Sequence, residues 1–105
     1  MIVRRMQLPG WYPLDPAACE RAIDRLLEGA PLPDDLPQRL VGGIAPHAGW
    51  QFSGPVAAMT FKALASRKTP ETVVVFGAGH SRLAPPRRPA LYAEGAWDTP
   101  LGLLE

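Results

Sequence analysis

The sequence has little that would cross-link the chain or attach it to a charged or lipid partner. It carries one cysteine in 105 residues, so an internal disulfide is excluded. Basic and acidic side chains number 11 and 10, which leaves no basic face for a nucleic acid. No stretch approaches the roughly 20 apolar residues that span a bilayer, and the first residues lack the features of a secretory signal. We therefore expect a cytoplasmic protein without nucleic-acid or membrane partners.

Proline is abundant instead. The 13 prolines exceed twice the average share of about 5% and concentrate in turns such as residues 31–37 and 84–89. Hydrophobic residues make up 47% of the chain, as in a globular protein. Because domains typically hold about 100–150 residues, we expect residues 1–105 to form one domain.

The first helix is predicted from local signals. Asp15 is a good N-cap, and Pro16 suits the first helical position, so a helix should run from residue 16 to about 28 and stop at Gly29. Its apolar face includes Cys19. A small buried hydrophobe is favoured there over a reactive thiol or a metal ligand.

Residues 40–81 read as a β-α-β unit, the centre of the predicted fold. Residues 40–45 and 72–76 are apolar and strand-like, and a helix capped by Ser53 or Gly54 is predicted between them, with Pro55 near its first position. Strands joined through one helix lie parallel with a right-handed crossover. The fold class is therefore α/β with a mostly parallel sheet. Residues 1–12 fit either a short strand or an extended arm, a third strand is expected over 89–93, and a turn is expected at 99–102.

His47 and His80, the only two histidines, each follow one of these strands. Parallel strands end at the same edge of a sheet, where ligands bind in α/β folds, and neighbouring strands lie about 4.8 Å apart. Two imidazoles on such loops can share a metal ion. A third ligand is missing, and Asp98 is the best acidic candidate by chain order. Spacing alone leaves ordinary loop histidines and metal or catalytic histidines equally open.

Two other chemistries fit the pattern less well. The loop 77–81 resembles a phosphate loop, but Arg82 stands where the dinucleotide fingerprint needs its third glycine, and no Gly-Lys-Ser/Thr follows. Ser53 and Ser81 lie near the histidines in sequence, yet the G-x-S-x-G pattern of serine hydrolases is absent.

Four sequence blocks resemble the MEMO family, whose bacterial members are called AmmeMemoRadiSam system protein B. Residues 44–58 look like its IAPHAGY…SGPVAA signature, and residues 73–80 resemble VVVLGPSH. Residues 97–102 and 10–13 are similar to its W-x-T-P-L-G and G-x-[FW]-Y-P blocks. The blocks occur in the family's order along the whole chain.

The resemblance implies a fold like that of class III extradiol ring-cleavage dioxygenases. It also implies iron or copper binding with a redox or dioxygenase-like activity. His47 and His80 match the first two metal ligands, and Trp11 and Phe52 match aromatic positions of the active-site vestibule. On the residues alone, ordinary packing is favoured for Trp11 and its neighbour Tyr12 over a role in lining a cleft.

The chain resembles the N-terminal third or so of a family member. The family's third histidine and its ligand cysteine have no counterpart, and Cys19 is not in that position. One hypothesis is a metal protein with an incomplete site, the chain being a truncation, a fragment of a longer gene or a piece that another chain completes. The alternative is a non-catalytic scaffold module that binds a peptide or partner through the aromatic vestibule. An open sheet edge also predicts self-association.

Overall fold

The computed structural model describes residues 1–5, 8–77, 91 and 94–105. The described part contains two helices and a three-stranded sheet. In chain order the elements are β1 (Val3–Arg5), α1 (Pro16–Gly29), α2 (Trp50–Ala65), β2 (Ala96–Thr99) and β3 (Gly102–Leu104). The α/β class is therefore confirmed. Neither helix has the combination of length and hydrophobicity that crossing a membrane requires, as far as the described residues extend.

Helix α1 begins and ends where local chemistry predicts. The Asp15 carboxylate accepts a hydrogen bond from the Ala18 N–H at 2.8 Å, and Pro16 occupies the first turn, where no N–H is needed. Cys19 is the buried residue of this helix, as predicted. At the other end, the carbonyl of Ala30 accepts from the Lys62 Nζ of α2 at 2.7 Å. This hydrogen bond links the C-terminal end of α1 to α2.

Helix α2 starts earlier than predicted. Its N-cap is Gly49, not Ser53 or Gly54, and Pro55 lies inside the helix. Proline lacks the N–H that would bond to the carbonyl four residues earlier, so one intrahelical hydrogen bond is lost at this point. The first turn also makes a hydrogen bond to a group outside the helix. The Trp50 N–H donates to the Trp11 carbonyl at 2.7 Å.

The sheet joins the two ends of the described chain. Strand β2 lies between β1, to which it is parallel, and β3, to which it is antiparallel. The predicted turn at 99–102 is confirmed, because the Thr99 hydroxyl accepts from the Leu101 N–H at 3.2 Å and donates to the Gly102 carbonyl at 2.8 Å. Gly95 precedes β2 with φ +109°, and a Cβ there would collide with the Ile2 carbonyl oxygen. Glycine is therefore required at this approach to β1.

The predicted β-α-β unit is not formed. The helix is present, but residues 40–45 and 72–76 belong to no strand, and the sheet is mixed rather than mostly parallel. A strand needs a neighbour to pair with its N–H and C=O groups, and no described strand lies beside these two segments. Most of their apolar side chains are exposed, Ile44 by 95% and Phe76 by 90%, whereas Leu40 and Ala45 are half-buried. The third predicted strand, over 89–93, lies outside the described residues except Leu91, which is in no strand.

The two helices pack through small residues. A Cβ on Gly54 would lie 3.1 Å from a Leu26 methyl, so the absence of a side chain there permits close approach of α1 and α2. Among the described residues, the buried apolar set consists of Cys19, Ala30, Ala58 and Ala96. No large described side chain is fully buried. The core is therefore thin, and much apolar surface remains in contact with water.

We expect Gly43→Ala to destabilise the chain and Gly42→Ala to leave it nearly unchanged. A Cβ on Gly43 would lie 2.5 Å from the Thr60 Cγ2 of α2, whereas a Cβ on Gly42 meets nothing within 4 Å. Such overpacking costs about 1–3 kcal/mol. Urea unfolding of the two variants measures the difference. Equal midpoints would contradict the packing of this segment on α2.

The apolar side chains exposed in residues 40–45 and 72–76 should drive self-association at about 10–100 µM, because exposed hydrophobic surface promotes association at µM to mM concentrations. Sedimentation velocity should detect dimers or larger species. Ile44→Lys and Phe76→Lys should each shift the distribution towards monomer. Leu32→Lys, a charge added in the exposed loop after α1, is the matched control. A monomeric wild-type chain over this range would refute the expectation.

Candidate functional site

The site is built where an N-terminal turn meets the start of α2. In the turn, the Trp11 N–H donates to the Leu8 carbonyl at 3.1 Å, and Gly10 has φ +82°. The Trp11 carbonyl then accepts the Trp50 N–H. Gly49 lies against the turn, since a Cβ there would be in ordinary van der Waals contact with the Trp11 Cα at 3.5 Å. Two segments far apart in sequence are thus brought into backbone contact.

A cavity of about 370 Å³ opens at this junction. Its lining residues come from both segments: Pro9, Gly10, Trp11, Ala48, Gly49, Gln51 and Phe52. The volume lies within the roughly 300–1,000 Å³ of small-molecule sites. Trp11 is 46% exposed and Phe52 77% exposed, so both rings have apolar surface available for a ligand. None of the lining residues is titratable.

A smaller cavity of about 220 Å³ adjoins the first and shares Gly10, Trp11 and Gln51 with it. It is completed by Tyr12, Pro13 and Trp50. The rings of Tyr12 and Trp50 pack with their centroids 5.5 Å apart at 38°. Tyr12 therefore contributes both to packing and to a cavity wall. Gln51 is the polar side chain that lines both cavities. The sequence analysis did not single it out, although its position between Trp50 and Phe52 could have indicated it.

His47 is adjacent in sequence to the lining of the larger cavity. It is exposed and directly precedes Ala48 and Gly49, two of the residues that line the larger cavity. His80 lies outside the described residues, so the predicted proximity of the two imidazoles stays a prediction. Trp11 and Phe52 do line one cavity, and their role towards a substrate is likewise still a prediction.

The turn that follows His47 is held by Ser53. Its hydroxyl, which is 7% exposed, donates to the Ala48 carbonyl at 2.9 Å. The backbone N–H groups of Phe52 and Ser53 both donate to the Gly49 carbonyl, at 2.9 and 3.1 Å. The sequence suggested Ser53 as a helix cap, whereas the structure places it inside α2 with its side chain directed back to the turn.

A metal site is not complete within the described part of the chain. No three His, Cys, Asp or Glu side chains there come together in a way that could hold an ion. Asp98 lies in β2 and is not among the residues that line either cavity. Cys19 is buried in α1, as predicted for a core residue. Among the described side chains that can bind a metal, His47 is the nearest in sequence to the cavity lining.

Comparison with known proteins finds one family across the chain. The family model described as Memo-like protein matches residues 4–105. A MEMO1 family protein of Methanopyrus kandleri is 46% identical over 101 residues, covering 90% of this chain and 35% of the relative. One of Methanothermobacter thermautotrophicus is 39% identical over 110 residues, covering 99% of this chain and 39% of the relative.

A third relative, a MEMO1 family protein of Pyrobaculum arsenaticum, is 34% identical over 111 residues. The alignment covers 100% of this chain and 39% of that protein. The chain thus spans little more than a third of the length of these relatives. No solved structure matches it significantly.

We expect the Cys19 thiol to react slowly in the folded protein. Burial raises the pKa of this thiol above its ordinary value of 9.0, and the thiolate is the reactive form. Alkylation at pH 8 should be at least about tenfold slower in buffer than in urea. Because the unfolded thiol ionises at a lower pH than the folded one, this group should favour unfolding as the pH rises above 9.0. Equal alkylation rates would contradict the burial.

Proposed function

Because this chain belongs to the Memo-like protein family, we propose that it supplies the first two ligands, His47 and His80, of an iron or copper centre. The substrate of this centre would enter the cavity walled by Trp11 and Phe52. The observation that carries the proposal is the position of His47, which immediately precedes the Ala48–Gly49 wall of that cavity. A ligand bound between the two rings would lie close to the residue that binds the metal.

Two histidine ligands meet part of what an iron or copper centre requires. Neutral imidazole binds iron and copper well, and catalytic sites generally use three protein ligands and keep a position open for substrate. Two histidines leave at least one ligand to be supplied by further polypeptide. The relatives, of which this chain spans 35% and 39%, are long enough to contain it. When bound, the metal would supply one-electron exchange with a substrate.

The chain's own residues would bind and orient that substrate. The rings of Trp11 and Phe52 offer apolar and aromatic surface, which favours a planar or apolar group between them. The Gln51 amide can donate and accept hydrogen bonds in both cavities. Because the lining of the larger cavity contains no titratable group, proton transfer would depend on His47 or on residues outside the lining.

The same observation supports a second candidate function. A cavity with aromatic walls and no acid, base or nucleophile is also suited to hold a peptide side chain without chemistry. In that case the chain is a scaffold module, and its exposed apolar segments would be covered by a partner protein or by another copy.

The metal proposal is tested by titration with Fe(II) under anaerobic conditions and with Cu(II). His47→Ala and His80→Ala should each lower the affinity by at least about tenfold, because each removes one of two ligands. Cys19→Ala is the control, since its buried thiol lies outside the proposed site and its loss should leave affinity unchanged. Unchanged affinity in both histidine variants would refute the proposal.

The two functions predict different mutational patterns. If the chain is a scaffold, Trp11→Ala should abolish partner binding measured by calorimetry, and His47→Ala should not affect it. If the chain holds part of a metal centre, His47→Ala should lower metal affinity, whereas Trp11→Ala should spare metal binding and weaken substrate binding. Partner binding that tolerates Trp11→Ala would exclude the scaffold function through this cavity.

A further inference from the structure

Ser53 makes an unusual hydrogen bond for a helical serine. In a helix interior, a serine hydroxyl typically bonds to the carbonyl of residue i−3 or i−4. The i−4 carbonyl of Ser53 belongs to Gly49 and already accepts the N–H groups of Phe52 and Ser53. The Ser53 hydroxyl donates instead to the Ala48 carbonyl, which lies outside the helix. A buried hydroxyl needs a partner, and this one is satisfied by the turn rather than by its own helix.

The turn between His47 and α2 is consequently fixed from two sides. On the helix side, Ser53 holds the Ala48 carbonyl by its hydroxyl and the Gly49 carbonyl by its N–H, at 2.9 and 3.1 Å. On the other side, the Trp11 carbonyl holds the Trp50 N–H at 2.7 Å. The three residues that make these contacts, Ala48, Gly49 and Trp50, directly follow His47. The backbone that carries the imidazole therefore has little freedom to shift.

We infer that Ser53 is a positioning residue for His47. Its hydrogen bond to the Ala48 carbonyl fixes the backbone next to His47, one of whose neighbours lines the cavity, and so restricts where the imidazole can lie. The consequence for metal binding rests on the proposed function, whereas the effect on the position of His47 does not. Loss of the hydroxyl should leave α2 folded and let the imidazole move.

Thr60 provides a matched control on the same helix. Its hydroxyl also donates from α2 to a carbonyl of the incoming segment, that of Ile44, at 2.8 Å. Pro46 and Ala45 separate that carbonyl from His47, so Thr60 holds the segment without holding the turn. If the effect of Ser53 were only on general stability, removal of either hydroxyl should have the same consequence for His47.

The experiment compares the imidazole Cε1–Hε1 signals of Ser53→Ala, Ser53→Thr and Thr60→Val by NMR at one pH and without metal. The sequence has two histidines, so two signals are expected, and His47→Gln assigns them. Ser53→Ala should shift or broaden the His47 signal, Ser53→Thr should restore it, and Thr60→Val should leave it in place. Ser53→Cys, with a weaker donor of similar size, serves if Ser53→Ala does not fold.

An unchanged His47 signal in Ser53→Ala, or in Ser53→Cys where that variant serves, would overturn the inference. Equal shifts in that variant and Thr60→Val would overturn it as well. A metal titration of the same variants separates the two proposals. If the wild-type chain binds no metal while Ser53→Ala still moves the His47 signal, the proposed function fails and the positioning role stands. If metal affinity depends on His47 but the removal of the Ser53 hydroxyl changes neither signal nor affinity, only the positioning role fails.

Discussion

The hydrogen bond from the Trp50 N–H to the Trp11 carbonyl is the contact on which the candidate site depends. It satisfies one of the N–H groups that every helix leaves unpaired in its first turn, and it does so with a carbonyl from a distant turn. No side chain caps α2 at Gly49, so the helix start relies on this backbone partner. The cavity lies where this bond brings the two segments together, and residues of both segments line it.

The locally determined elements have partners for their hydrogen-bonding groups, whereas two apolar segments remain exposed to water. Helix α1 has its carboxylate cap, and the hairpin after β2 has its threonine hydroxyl bonds. By contrast, most apolar side chains of residues 40–45 and 72–76 are exposed, and these segments flank the helix that carries the site. Burying such surface contributes about 25 cal/mol per Å². These two segments therefore offer apolar surface that further packing would stabilise.

Sequence reasoning succeeded where the determinants are local. Asp15 and Pro16 specify the start of α1 whatever the rest of the chain does, and the turn at 99–102 is coded by Thr99 and Gly102. Strand formation over 40–45 and 72–76 failed as a prediction because pairing depends on a neighbour that composition cannot reveal. The early start of α2 was missed for a related reason, since its first turn is stabilised by Trp11. Trp11 and Phe52 were singled out by family resemblance, and no periodicity would have placed them on one cavity.

The parallel pairing of β1 with β2 has a consequence for the order of folding. Val3 pairs with Ala96, so nearly the whole chain must close into a loop before that pair can form. Helices α1 and α2 are separated by a much shorter connection and can meet first. Loop-closure entropy rises with the length enclosed, and contacts between distant residues form slowly. The helical pair and its cavity should therefore assemble early, while the sheet that joins the chain's ends is the last part to form and the first to open.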